Sequence, residues 1–583
     1  MSGICTRAGA VALAAAFLAQ PSAAFADASS AQYRGCDGYG AASSDGDGMT
    51  ELATVLLIFS PPGYGNTARG TTSSGAAGVA DCDAALADLA AKHWMRKVSL
   101  LRARAMHRLD NNDSTGALAD LDLAVAAAKD ADDPLYARSL GLGVTYVRAL
   151  ALRKSGDTLH GGALAQSALA QRLFNRPSIV SALIALGPNA PTADIEKVQH
   201  VLGRLLPTEI DKLFVQALES GRFQEAIALY PQLTPYREIG QVNISQGQQR
   251  ERAMRDLATA MLFKTSRAGG YAFALAATGR GEEAQTILAS ARAQLAHDTE
   301  PPPLDPSLSP SEHARQAAYR EEDAASRLKA ITAAGKNLDI WAGFVGQRQM
   351  IDQGKAVDVF KALQSQAGRH GWPDVQLLDA TLAKLPKSDK ASIAAAQAMK
   401  ASWGTPTVAS REASLDTFFK ALPEPETLNR VPQYEPARQP LFGTSGRYAE
   451  MIANGYQQRG PDPDGTMTVS FRGENSTGSM IEEMALLRAA DLARQAGKKG
   501  IIIVDRHDTA FTISTESYGT VVRTDPDGYE TDLDVLFVDP NVLPEKYRDH
   551  AWRVIDADAA YNSLAPVYIR PKASKKPGAD AGD

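Results

Sequence analysis

Cysteine is nearly absent from this chain: three occur in 583 residues, and none follows Cys82. A cysteine nucleophile is therefore excluded from everything beyond that position. Long apolar runs are missing as well. Beyond residue 26 no stretch reaches the ~18 uninterrupted apolar residues of a membrane span, so no integral span is expected in the mature chain. Positive charge is not in excess, the formal net charge being −6. That removes the global electrostatic ground for nucleic acid or an anionic membrane as partner. The sequence also lacks H-E-x-x-H, G-x-x-x-x-G-K-[ST] and G-x-S-x-G, so no metal, nucleotide cofactor or serine nucleophile is expected from a local motif.

What is present begins with an address. Residues 1–26 read as a secretory signal, with Arg7 before the apolar stretch Ala8–Ala19 and Ala24-Phe25-Ala26 as the cleavage site. Cys5 leaves with that segment, and Cys36 and Cys82 remain as a matched pair for a disulfide in an oxidising compartment. Such a bond would contribute about 4 kcal/mol on the chain-entropy account. The expected location is exported and periplasmic. Apolar residues at 44% and charged residues at 22% are those of a folding chain. Its length implies about three or four units at ~150 residues each.

Residues 27–83, rich in Gly, Ser, Ala and Asp, read as a loosely ordered lead-in, and 84–403 as helical. Within the helical part a turn recurs. Ser220-Gly221-Arg222-Phe223-Gln224-Glu225-Ala226 and Thr278-Gly279-Arg280-Gly281-Glu282-Glu283-Ala284 each place Ala five residues after the first Gly, and Tyr230 or Leu288 nine after it. Gly suits a tight reversal between helices, and a small residue suits the close crossing beyond it. Partial versions pair Leu101 and Ala105 with Ala117, Leu121 and Ala124 around Asn112-Asp113, and Ala149 with Ala163, Ser167 and Ala170 around Gly156-Asp157, the last with two extra residues after the turn. A degraded fifth falls around Phe344, Ala356 and Phe360. The spacing resembles the tetratricopeptide repeat. That resemblance implies a solenoid of stacked helical hairpins whose groove binds another protein; a helical bundle without true repeats is the plainer alternative.

Prolines at 301–303, 306 and 310 mark a loop inside the helical part, and six more between 404 and 445 mark a linker. Residues 446–570 read as a small α+β domain and 571–583 as a disordered tail. Strands are expected at Thr466–Phe471, Gly500–Asp505, Thr509–Ser514, Gly519–Thr524 and Leu533–Phe537, with a turn at Asp525-Pro526-Asp527-Gly528. A helix is expected at Ser479–Gln495, with Ser479 and Glu482 in capping-box spacing. The fold class is thus mainly α, an irregular helical-hairpin solenoid followed by a small α+β domain. Val469-Ser470-Phe471-Arg472-Gly473-Glu474-Asn475 and Glu483-Met484-Ala485-Leu486-Leu487-Arg488-Ala489-Ala490-Asp491-Leu492 resemble an uncharacterised family of bacterial envelope lipoproteins, though no lipid-bearing Cys is present. The resemblance implies an envelope address and a fold, and no activity.

The sharpest polar cluster is Asp505-Arg506-His507-Asp508, after the apolar run Ile501–Val504. Asp505 and His507 have the chemistry of an acid/base pair, but one His with two Asp is a poor metal set, and solvated turn charges explain the cluster equally well. Ser476 reads as a helix lead-in. The glycine matches at Gly63–Ala68 and Gly279–Ala284 lack the preceding strand of a dinucleotide site, and Asp45-Gly46-Asp47-Gly48 lacks the distal ligands of a calcium loop. The expectation is a non-enzymatic exported scaffold that binds another protein or peptide of the cell envelope, without cofactors. The rival is a hydrolase-like C-terminal domain using Asp505 and His507.

Overall fold

The computed structural model describes residues 28–37, 73–89, 93–131, 133–233, 247–297, 309–366, 371–403, 413–428, 430–438, 454–474, 476–517 and 520–570. The expected signal at 1–26, the matches at 45–48 and 63–68, the prolines at 301–306 and the tail 571–583 lie outside the described residues. The chain is mainly helical with one small sheet near its C-terminal end.

The helices run α1 (Ala28–Asp37), α2 (Gly75–Asp88), α3 (Trp94–Asp110), α4 (Ser114–Ala127), α5 (Leu140–Lys154), α6 (Thr158–Gln171), α7 (Arg176–Leu186), α8 (Thr192–Leu205), α9 (Glu209–Glu219), α10 (Phe223–Leu229), α11 (Gly247–Ala277), α12 (Gly281–His297), α13 (Pro310–Asp352), α14 (Ala356–Ser365), α15 (Trp372–Lys384), α16 (Lys390–Trp403) and α17 (Leu415–Ala421). Then come β1 (Gly455–Arg459), β2 (Met467–Gly473), α18 (Gly478–Gln495), β3 (Gly500–Ser517), β4 (Thr520–Val538), β5 (Ile555–Asp556) and α19 (Ala557–Tyr568). Residues 27–83 therefore hold two helices, and the helical pattern begins at Gly75, earlier than expected. Cys36 of α1 and Cys82 of α2 are joined as a disulfide. Helix propensity was masked there by Gly and Asp, while Tyr33, Cys36, Cys82 and Ala85 bury against α3.

Five hairpins, α3/α4, α5/α6, α9/α10, α11/α12 and α13/α14, share one reversal. Its pivot lies in the left-handed region: Asn112 at φ 59°, Gly156 at 97°, Gly221 at 70°, Gly279 at 82° and Gly354 at 84°. The next residue's N–H then donates to a carbonyl five residues back, Asp113 to Arg108 and Arg222 to Ala217 at 2.8 Å, and Asp157 to Leu152, Arg280 to Leu275 and Lys355 to Met350 at 2.9 Å. This closure satisfies the orphan carbonyls of a helix end and demands a residue tolerant of positive φ, which Asn supplies in the first hairpin. The residue five past each pivot is buried: Ala117, Gly161, Ala226, Ala284 and Val359.

The second hairpin corrects its sequence reading. Gly161, Ala165 and Ala168 face inward, and Ala163, Ser167 and Ala170 are exposed, so no insertion exists. Glycine fills the small-residue position because a Cβ at Gly161 would lie 2.7 Å from the Ala149 carbonyl oxygen.

Three of the apolar cores among the described residues organise most of the chain. The first joins α3–α8 to α17, the sheet, α18 and α19. A second holds α11–α16, and a smaller one surrounds α9 and α10 with Ala274 of α11. The C-terminal unit is consequently continuous with the first hairpins. Residues 413–428 and 430–438 of the expected linker form a packed strap, with Phe418 at 0% exposure and Glu426 at 1%. The Tyr434 N–H donates to the Tyr568 carbonyl at 2.9 Å, and the Tyr456 N–H of β1 to the Arg438 carbonyl at 2.8 Å. Prolines signalled irregular backbone, which here is buried irregular backbone.

The sheet has the order β1-β2-β4-β3-β5, with every pairing antiparallel. The strands expected separately at 500–505 and 509–514 are one strand, as are 519–524 and 533–537. The expected turn at 525–528 lies inside β4, where a register shift opposite Phe511 and Thr512 absorbs Asp527 as a bulge. The N-cap of α18 is Thr477, whose hydroxyl accepts from the Met480 N–H at 3.2 Å, in place of the expected Ser479–Glu482 box.

Candidate functional site

The polar cluster after Ile501–Val504 is divided by strand alternation. A register shift between Ile503 and Asp505 resets the faces of β3. Arg506 then points to the helical side, its side chain 3% exposed, and pairs with Glu482 of α18 at 2.9 Å and with Asp508 at 3.0 Å. Arg176 at the start of α7 closes the network, reaching Glu482 at 2.8 Å and Asp508 at 3.3 Å. Burial works to lower the Arg506 pKa, but Glu482 and Asp508 outweigh it and hold the value above the ordinary one. Two of the four residues therefore bind the sheet to α18 and α7.

Asp505 and His507 lie on the opposite face. Register sets Asp505 across from Asp534, His507 across from Asp532 and Thr509 across from Glu530. On the far side of β4, Ser470 and Arg472 of β2 oppose Asp532 and Glu530. The result is an acidic sheet face with a single imidazole, which the sequence could not assemble because its members come from three strands. Burial, then Asp532, push the Glu530 carboxyl upward, against Arg472 and His507. Such a face can exchange protons and attract cations. His507 is exposed, and the described residues hold no cluster of three or more ligands suited to a metal. Ser476 donates to the Arg430 carbonyl at 3.0 Å and serves the strap.

A second constellation escaped sequence reading altogether. Arg138, from the turn before α5, and Arg172, from the end of α6, meet Glu426 of the strap, Glu483 of α18 and Tyr568 of α19. Arg172 donates to Glu483 at 2.7 Å, to Glu426 at 2.5 Å and to the Arg138 carbonyl at 2.8 Å. Arg138 donates to Glu426 at 3.2 Å and also to Glu483, and Tyr568 donates to Glu483 at 2.5 Å. Glu483 thus accepts from three donors and Glu426 from two. Burial opposes ionisation of Glu483, yet Arg138 and Arg172 hold it down to about 2. At Glu426 burial wins and its pKa rises. The two carboxylates Glu482 and Glu483 inside the otherwise apolar run Met480–Leu487 are the one sequence signal that pointed here.

The third feature is a groove of about 360 Å³ floored by α3 and flanked by α2 and α4. Leu101, Leu123, Ala126 and Ala127 line it, with Lys97 and Arg104 at its rim. Arg104 is neutralised by Asp120 at 2.6 Å and by Asp83. Lys97 has no ion-pair partner among the described residues. Leu123 and Val125 of α4 are each 52% exposed. Comparison with family models, with curated proteins and with solved structures returns no match.

Proposed function

We propose that this chain is an exported, non-enzymatic scaffold of the bacterial cell envelope, and that its tetratricopeptide-like hairpins hold another protein or peptide. The groove on α3 carries the reading: an apolar floor, an exposed Leu123 and Lys97, which has no ion-pair partner among the described residues, suit an amphipathic helix bearing a carboxylate beside its apolar stripe. The Cys36–Cys82 bond favours an oxidising compartment. No described helix is long and apolar enough to cross a membrane.

Two experiments test the reading. A photocrosslinker at position 123 in the native compartment should capture one specific protein, and one at Leu159, 78% exposed and outside the groove lining, should not. With the purified chain, a fluorescent amphipathic peptide carrying Glu at its rim should bind more tightly than its Lys counterpart, and Lys97→Glu should reverse that preference. Equal capture at both positions together with no peptide preference would sink the scaffold. The hydrolase reading rests on His507 opposite Asp532 and near Asp505; on the scaffold reading His507→Ala leaves partner capture unchanged.

A further inference from the structure

We propose that seating of the strap and C-terminal unit on the hairpins depends on oxidation of Cys36 and Cys82, and that Asp37 carries the dependence. α1 is ten residues long, too short to persist alone in water. Besides the disulfide, it is held by a bidentate pair in which Arg96 donates to both Asp37 oxygens, at 2.7 and 2.6 Å. The two side chains are 1% and 9% exposed.

The strap touches the cysteine cluster directly, since Phe419 packs against the core of Tyr33, Cys36, Cys82 and Ala85, and the charge of Asp37 acts on a second buried cation. Burial lowers the Arg102 pKa to about 10, and Asp37 is the leading charge opposing that shift. Arg102 in turn grips the strap, donating to the Pro423 carbonyl at 3.4 Å with its guanidinium 5.4 Å over the Phe419 ring. Ser181 of α7 donates to the Ala421 carbonyl at 2.8 Å, and Glu426 enters the buried ionic network a few residues on. A path thus runs from the cysteines to the seat of the sheet, by contact through Phe419 and by charge through Asp37 and Arg102.

With both thiols free, α1 can leave and take Asp37 with it. Two buried guanidiniums then lack their counter-charge, a state that proteins relieve by admitting water or moving the charge outward. For Arg102 the outward path displaces Phe419 and Pro423. In the forward step two cysteine thiols and a disulfide oxidant yield the Cys36–Cys82 bond and two thiols on the oxidant, with two electrons and two protons passing to it. Both cysteines are at 0% exposure, so the bond is shielded once the fold closes. The inference is independent of what the groove binds.

Hydrogen exchange on the full mature chain tests it. The oxidised protein is compared with Cys36→Ser/Cys82→Ser and with Asp37→Asn, the latter keeping the disulfide. Exchange at 415–426 should quicken at least tenfold in both variants, while α11 and α13 in the second core stay protected and report an intact fold. Adding Arg102→Met removes the buried charge and should bring strap exchange in each down to that of Arg102→Met alone. Acceleration confined to α1 and α2, or strap acceleration that survives Arg102→Met, overturns the inference. If the double-serine chain does not fold, Asp37→Asn decides alone.

Discussion

Glu483→Gln is the sharpest probe of the buried network. The amide nearly matches the carboxylate in shape, but Arg138 and Arg172 are left to share Glu426, so a net positive charge stays in the core. Lowering a carboxyl from its ordinary 4.5 to about 2 corresponds to about 3 kcal/mol of stabilisation at neutral pH. Breaking a buried pair from one side typically costs about 3–5 kcal/mol, in agreement. The pH dependence has a definite sign. Between 4.5 and about 2 the unfolded chain takes up a proton that the folded chain refuses, so this contribution is full above 4.5 and fades as pH falls through that window. Urea unfolding followed by exchange at α18 amides should show the variant about 3 kcal/mol weaker at pH 7 and nearly equal to the parent by about pH 2. Glu426→Gln should be milder, since burial already favours the neutral form there. A Glu483→Gln deficit below about 1 kcal/mol, or one that stays constant with pH, refutes the reasoning.

Two further outcomes follow from single sites. Gly161→Ala should lose about 1–3 kcal/mol by overpacking against the Ala149 carbonyl; neighbouring Gly162→Ala, whose Cβ meets only a Leu186 methyl at 3.6 Å, should gain up to about 1 kcal/mol from helix propensity. Thermal denaturation separates the two. Burial lowers the His107 pKa, so its neutral ring donating to the Cys36 carbonyl at 2.8 Å should lose stability as pH drops below 6.5, and exchange in α1 between pH 7 and 5 should show that loss in the parent and not in His107→Gln.

The hairpin turns were legible in sequence because their chemistry is local. A left-handed pivot needs Gly or Asn, and the crossing five residues on needs a small side chain, so Gly221, Gly279 and Asn112 announce themselves. α18 was read within one residue of its start for the same reason. What stayed hidden depends on distance along the chain. Glu426 meets Arg172 across 254 residues and Glu483 meets Arg138 across 345, and no periodicity encodes either. Asp525-Pro526-Asp527-Gly528 has the composition of a turn, and pairing with β3 overrode it. Prolines made 413–438 look like a spacer, although Phe418, Leu422 and Val431 are core residues.

The first core, which unites Val98 with Tyr568, has a temporal side. A chain is made from its N-terminus, so α3 to α8 exist long before the α19 that completes their packing. The buried residues of α9 to α16 belong to other cores, and that stretch of chain must be made in between. Closing so long a loop adds only logarithmically to the entropy cost, so the equilibrium barely registers the separation. The clock does: α3 to α8 wait with an apolar flank uncovered until the newest residues arrive.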